Sequence, residues 1–118
     1  MEGNRAAFVD TGGVYLICSP EIADSLALSP DEGLAAPRML FRGAYLAGML
    51  HRVDLTIPAT HGETLTVEAT AFVPEQTTTD WQSFPCVLGL QGCLERLRFA
   101  VDPVNDTIFF GALEPQAE

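Results

Sequence analysis

Thr64-Leu65-Thr66-Val67-Glu68-Ala69-Thr70-Ala71-Phe72-Val73 alternates apolar with polar residues, so that Leu65, Val67, Ala69, Ala71 and Val73 share one face of an extended chain. A period of two held this long predicts a half-buried β-strand. Just upstream, Val53, Leu55 and Ile57 alternate with Asp54 and Thr56, and residues 58–62 supply proline, histidine and glycine for a turn. The two segments therefore predict a β-hairpin. Shorter strands are expected over 6–9, 14–18, 86–88, 98–101 and 107–110. Helix is scarce. One is expected over 20–26, with Ser19 as N-cap, Pro20 at the first helical position and Glu21 in the first turn. A second is expected over 91–97, because Leu90, Leu94 and Leu97 recur at helical spacing. Residues 29–37 and 74–85 are rich in Pro, Thr, Asp and Gly and read as surface loops. Asp102-Pro103 and Asn105-Asp106 read as a turn between the last strands.

The chain has 118 residues, enough for one domain spanning 1–118 with a single core and little more. Its hydrophobic fraction of 47% with interspersed charge is that of a globular chain, and no apolar run is long enough to span a bilayer. The amino terminus has no basic region followed by an apolar stretch, so a secretory signal is not expected and a cytoplasmic location is. There is no lysine, and the formal net charge of -10 repels phosphate backbones and anionic lipid heads. Neither nucleic acid nor a membrane is an expected partner. Cys18, Cys86 and Cys93 are odd in number, lack paired metal-ligand spacing and are flanked by apolar residues, so they read as buried thiols. His51 and His61 have no cysteine or carboxylate cluster nearby and read as surface residues; no metal or cofactor is expected.

Chemistry concentrates at Ala6-Ala7-Phe8-Val9-Asp10-Thr11-Gly12-Gly13, an apolar strand that runs into an acid and then into two glycines. A strand buried up to Val9 would deliver the Asp10 carboxylate to a rigid, partly desolvated spot. The glycines would allow a tight turn and close backbone approach. Alone, the tripeptide Asp-Thr-Gly is a weak signal that fits an ordinary strand ending in an Asp turn. A second motif accompanies it, Phe84-Pro85-Cys86-Val87-Leu88-Gly89-Leu90-Gln91-Gly92-Cys93-Leu94-Glu95-Arg96-Leu97-Arg98-Phe99-Ala100-Val101-Asp102. It reads as an apolar strand, a glycine, a short amphipathic helix and another strand.

With both motifs in this order, the chain resembles the retropepsin-like, retroviral-type aspartic proteases from about Ala6 to Gly111. The resemblance implies a mostly β, closed-barrel acid-protease lobe with one or two short helices and a flap hairpin. It implies Asp10 as the catalytic carboxylate, supported by Thr11, Gly12 and Gly13. A flap would run over 39–53, with its tip at Gly43, Ala44, Tyr45, Leu46, Ala47 and Gly48, and Val87, Leu88 and Gly89 would line the substrate pocket. Because the sequence holds one Asp-Thr-Gly, the resemblance further implies a symmetric homodimer acting on a peptide or protein substrate.

The departures from the family are specific. Position 13 is glycine, where the family usually carries alanine or a hydroxyl residue. Val14 and Leu90 stand where retroviral members place an acid and an arginine, and an apolar pair there suggests packing in place of charge. Only nine residues precede Asp10, where the family usually has a further strand that helps build the dimer. Either a different surface joins the chains, or the sequence is part of a longer one. Two other readings remain open: a non-cleaving domain of this type that dimerises or binds peptide, and an unrelated small β-barrel.

Overall fold

The computed structural model describes residues 7–29, 31–36, 38–41, 43–75 and 86–113. Strand dominates. The chain runs through β1 (Phe8–Val14), β2 (Leu16–Cys18), α1 (Pro20–Ser25), β3 (Leu34–Ala35), β4 (Met39–Phe41), β5 (Ala44–Leu46), β6 (Gly48–Ile57), β7 (Leu65–Pro74), β8 (Cys86–Gln91), a 3-10 turn (Leu94–Arg96), β9 (Leu97–Asp102) and β10 (Thr107–Ala112). Six strands form one sheet in the order β1-β8-β2-β7-β6-β3, while β9 pairs with β10 and β4 with β5 in separate two-stranded ribbons.

The expected hairpin is the centre of this sheet. β6 and β7 pair antiparallel along their whole length, from Ile57↔Leu65 to Gly48↔Pro74, which puts Val53 opposite Ala69 and Leu55 opposite Val67. Along β7 the alternating burial of residues 65–68 gives way to continuous burial over 71–74. The half-buried reading therefore holds for the first half of the strand only. Both faces of the second half are covered: Ala69 and Ala71 pack in a cluster with Leu16, Cys18, Ile22, Cys86 and Cys93, and Phe72 packs in another with Ile17, Leu46 and Val87. One cover is α1, which brings Ile22, and the other is the β4–β5 ribbon, whose Met39, Phe41 and Leu46 face inward.

α1 begins as expected. The Ser19 hydroxyl oxygen accepts the Ile22 N–H at 3.3 Å and Pro20 opens the helix. The helix expected over 91–97 is not formed. Gly92 takes φ +79, Gln91 still belongs to β8 and Leu97 already belongs to β9, so only the single 3-10 turn at 94–96 fits between them. The Gly92 N–H is held by the Glu95 carboxylate at 2.6 Å, and Leu94 and Leu97 are buried as the helical spacing had suggested. The turn between β9 and β10 is built on Asp102, whose carboxylate accepts the Val104 and Asn105 backbone N–H groups and the Asn105 side-chain amide. That bonding holds its carboxyl below the usual aspartate range.

The closed barrel is not found among the described residues. Among the described residues the large sheet is open, with β1 at one edge and the two-residue β3 at the other, and neither ribbon joins its strand order. β3 itself lies inside the region read as loop. Residues 76–85 of the second expected loop, including Phe84 and Pro85 of the second motif, lie outside the described residues, as does Ala6 of the first. Among the described residues, no helix is long and apolar enough to cross a membrane.

Candidate active site

Asp10 sits where the pairing of β1 with β8 slips out of register. The two strands run parallel with Phe8 opposite Val87, Val9 opposite Leu88 and Asp10 opposite Gly89, and the register then slips before Val14 meets Gln91. β2, next in the chain, does not pair with β1. It runs antiparallel to β8 on the other side, Leu16 opposite Leu88. β8 is thus inserted between two strands that are consecutive in sequence. Residues 11–15 must cross over its end, a lateral step of two strand spacings, or about 9.6 Å.

This crossover explains the second glycine motif. A Cβ on Gly89 would stand 2.7 Å from the Tyr15 carbonyl oxygen, 2.7 Å from the Val14 carbonyl carbon and 2.8 Å from that of Gly13. All three are backbone atoms, so only glycine lets the crossover lie flat on β8. Two hydrogen bonds pin it there: the Gly89 N–H donates to the Tyr15 carbonyl at 2.8 Å, and the Tyr15 N–H donates to the Gln91 carbonyl at 2.7 Å. Tyr15 reaches both only by adopting φ 65, a left-handed conformation that a side-chain-bearing residue seldom takes.

Within the crossover the Asp10 carboxylate accepts the Gly12 N–H at 3.0 Å, which fixes one of its oxygens. The other lies 3.2 Å from where a Cβ of Gly13 would be, so residue 13 borders the acid closely. Thr11 is exposed beside it. The expectation of a strand buried up to Val9 fails in this chain: Phe8 is 49% and Val9 43% exposed, and Asp10 itself is exposed. The cause is position, since β1 is the outermost strand of the described sheet.

The region expected as flap divides in two. β4 and β5 form a ribbon with Met39 opposite Leu46 and Phe41 opposite Ala44, and the chain reverses at Gly43, which takes φ +84. Its reversal is therefore narrower than the stretch from Gly43 to Gly48. Tyr45 is exposed and stacks under the Arg38 guanidinium, 5.1 Å from the ring centre. Leu46 is core, Ala47 is exposed, and Gly48 already belongs to β6, where its Cα lies against the Val73 carbonyl and the Phe72 ring.

Val87 is interior, 5% exposed, in the cluster beneath this ribbon with Met39 and Phe41. Leu88 points to the opposite face, and Gly89 is filled by the crossover. The three pocket residues thus fall in three different environments. Leu90 is 40% exposed and Val14 half-buried, so within one chain no buried packing replaces the charged pair of the retroviral members.

Two other expectations change. His51 is half-buried, with its Nε2 2.8 Å from the Ser29 carbonyl, which ties β6 to the segment leading to β3; His61 is exposed in the turn. All three cysteines are buried thiols, but Cys18 and Cys86 are also directly opposed, a pairing with no sequence signal at a separation of 68 residues. A shallow cleft between α1 and the end of β7, lined by Pro20, Asp24, Leu28 and Glu75 among others, contains none of the expected site residues. No group of three or more metal-ligating side chains occurs among the described residues. Comparison with protein-family models, with curated proteins and with solved structures finds no match.

Proposed function

We propose that the chain is one half of a retropepsin-like aspartic endopeptidase, completed when the Asp10 of a second copy meets its own. The observation that carries this reading is the placement of Asp10. A carboxylate with one oxygen fixed by the Gly12 N–H stands exposed at the start of a crossover locked against Gly89. It lies on an edge strand whose apolar residues Phe8 and Val9 are half uncovered. A lone exposed acid does no hydrolysis, but an uncovered apolar edge beside it is a surface that a symmetry mate can cover.

Two carboxylates a few Å apart cannot both ionise cheaply, so the pair shares one proton near neutral pH. The charged member takes a proton from a water held between them while the protonated member polarises the scissile carbonyl. The attacking oxygen adds to the carbonyl carbon, and the proton then passes to the leaving amine. Thr11 braces the two crossovers. The substrate lies extended between this floor and the β4–β5 ribbon, whose underside rests on Val87 and Phe72. The Gly43 reversal forms the flap tip, while the inward side of the ribbon stays packed on the core.

The test is cleavage of unfolded protein and peptide libraries from about pH 4 to 8, with sedimentation at each pH. Wild type should cleave with a rate that rises faster than linearly with chain concentration. Asp10→Asn should fold and dimerise but not cleave. Two chains of -10 repel one another, so dimerisation and cleavage should rise below neutral pH and with added salt. Dimers that bind peptide without cutting it would instead support the non-catalytic reading.

A further inference from the structure

The sheet brings two thiols together away from Asp10. Cys18 ends β2 and Cys86 begins β8, and the antiparallel register sets them directly opposite one another. The Cys86 thiol donates to the Cys18 sulfur at 3.6 Å, with the residues 5% and 3% exposed. Directly opposed residues of an antiparallel pair have Cα atoms about 4.5–5.5 Å apart, inside the range of about 4.4–6.8 Å that a disulfide spans. The sulfurs must close only from 3.6 Å to about 2.05 Å, which side-chain rotation achieves without moving either strand.

We infer that Cys18 and Cys86 are a disulfide-forming site, oxidised in the folded chain by hydrogen peroxide to an intramolecular bond that staples β2 to β8. The oxidant must be small because the sulfurs are buried, and peroxide is little larger than water. One thiol, losing its proton, attacks the peroxide O–O bond, becoming a sulfenic acid and releasing water. The facing thiol then attacks that sulfur, the S–S bond forms and a second water leaves. In sum two thiols lose two hydrogens and two electrons, and one peroxide becomes two waters.

The bond would join residues separated by 68 positions, a loop containing β3 to β7, and would tie together the two strands that flank the Tyr15–Gly89 contact. Cys93, in the same cluster, serves as the internal reference. It lies past the end of β8, outside the register that sets Cys18 opposite Cys86. The inference does not depend on Asp10 being catalytic.

The experiment treats the folded full chain with hydrogen peroxide, then denatures and alkylates it for intact-mass and peptide analysis. The expected product has lost two hydrogens, retains one alkylatable thiol at Cys93 out of three, and melts about 10 °C above the reduced chain. Cys18→Ser and Cys86→Ser should each abolish both the bond and the melting shift. Should either fail to fold, Cys93→Ala keeps the pair and must still lose two hydrogens. Three alkylatable thiols after treatment, a bond to Cys93, a bond between chains, or an unchanged melting temperature would each overturn the inference.

Discussion

Replacing Gly89 with alanine probes the contact on which the Asp10 site is built. The new methyl would press 2.7–2.8 Å from three backbone atoms of residues 13, 14 and 15, and no flexible side chain is there to move aside. Either the crossover lifts off β8 or β8 is displaced. Overpacking of this kind costs about 1–3 kcal/mol, and stretching the Gly89 N–H to Tyr15 carbonyl bond adds about 1 kcal/mol. The expected loss is thus about 2–4 kcal/mol, a large part of the 5–15 kcal/mol or so that holds a domain together. With a urea slope of about 2 kcal/mol per molar, the unfolding midpoint should fall by about 1–2 M. Gly111→Ala in β10 is the control. It is also a strand glycine, but nothing lies within 4 Å of its added Cβ, so it should be neutral or should stabilise by about 0.5 kcal/mol. Urea unfolding of the three proteins, followed by fluorescence, decides the matter. If Gly89→Ala unfolds at the same midpoint as Gly111→Ala, the crossover does not rest on β8 and the account of the site is wrong.

Further outcomes follow from other contacts. Mixing wild-type chains with an equal amount of Asp10→Asn should leave about one quarter of the cleavage if chains assort at random into dimers; half the activity would mean that single chains act alone. Phe72→Ala removes a side chain with no exposed surface from the cluster beneath the β4–β5 ribbon and should cost about 3–5 kcal/mol in chemical denaturation. Ser19→Ala deletes the acceptor for the Ile22 N–H and should cost about 1 kcal/mol by the same assay, with Ser19→Asp recovering most of it. The Cys93 thiol is raised in the folded state to about 11 from 9.0. The unfolded chain therefore loses its proton first, and stability present below pH 9.0 should decline as pH rises toward about 11. A Cys93→Ala chain should lack that component of the alkaline loss in denaturation curves taken across the window.

Much of this molecule is legible along the chain because its signals are local. The β6–β7 hairpin follows from alternation at 53–57 and 64–73, since a strand with one covered face must place apolar residues at every second position. The start of α1 follows from Ser19 and Pro20, and the last turn from Asp102 and Asn105, because capping and turn chemistry act within a few residues. The two glycine motifs could be picked out as a pair, but not the reason they belong together. That reason is a contact of Gly89 with residues 13–15, made only when β8 inserts between β1 and β2.

Where the reading along the chain departs from the structure, a long-range packing choice has intervened. Leu90, Leu94 and Leu97 keep their helical spacing, yet Gly92 turns left-handed and β9 begins at once, so Leu94 and Leu97 are buried without a helix and Leu90 stays exposed. The apolar approach to Asp10 looked like interior strand, and its place at the sheet edge leaves it half exposed. Nothing local distinguishes an edge from a central strand, because edge status depends on which other strands pair. The same holds for the facing sulfurs of Cys18 and Cys86, for Val87 beneath the ribbon, and for the open sheet in place of a barrel. Periodicity and capping set which segments extend or coil; only the pairing of distant strands set which side chains meet.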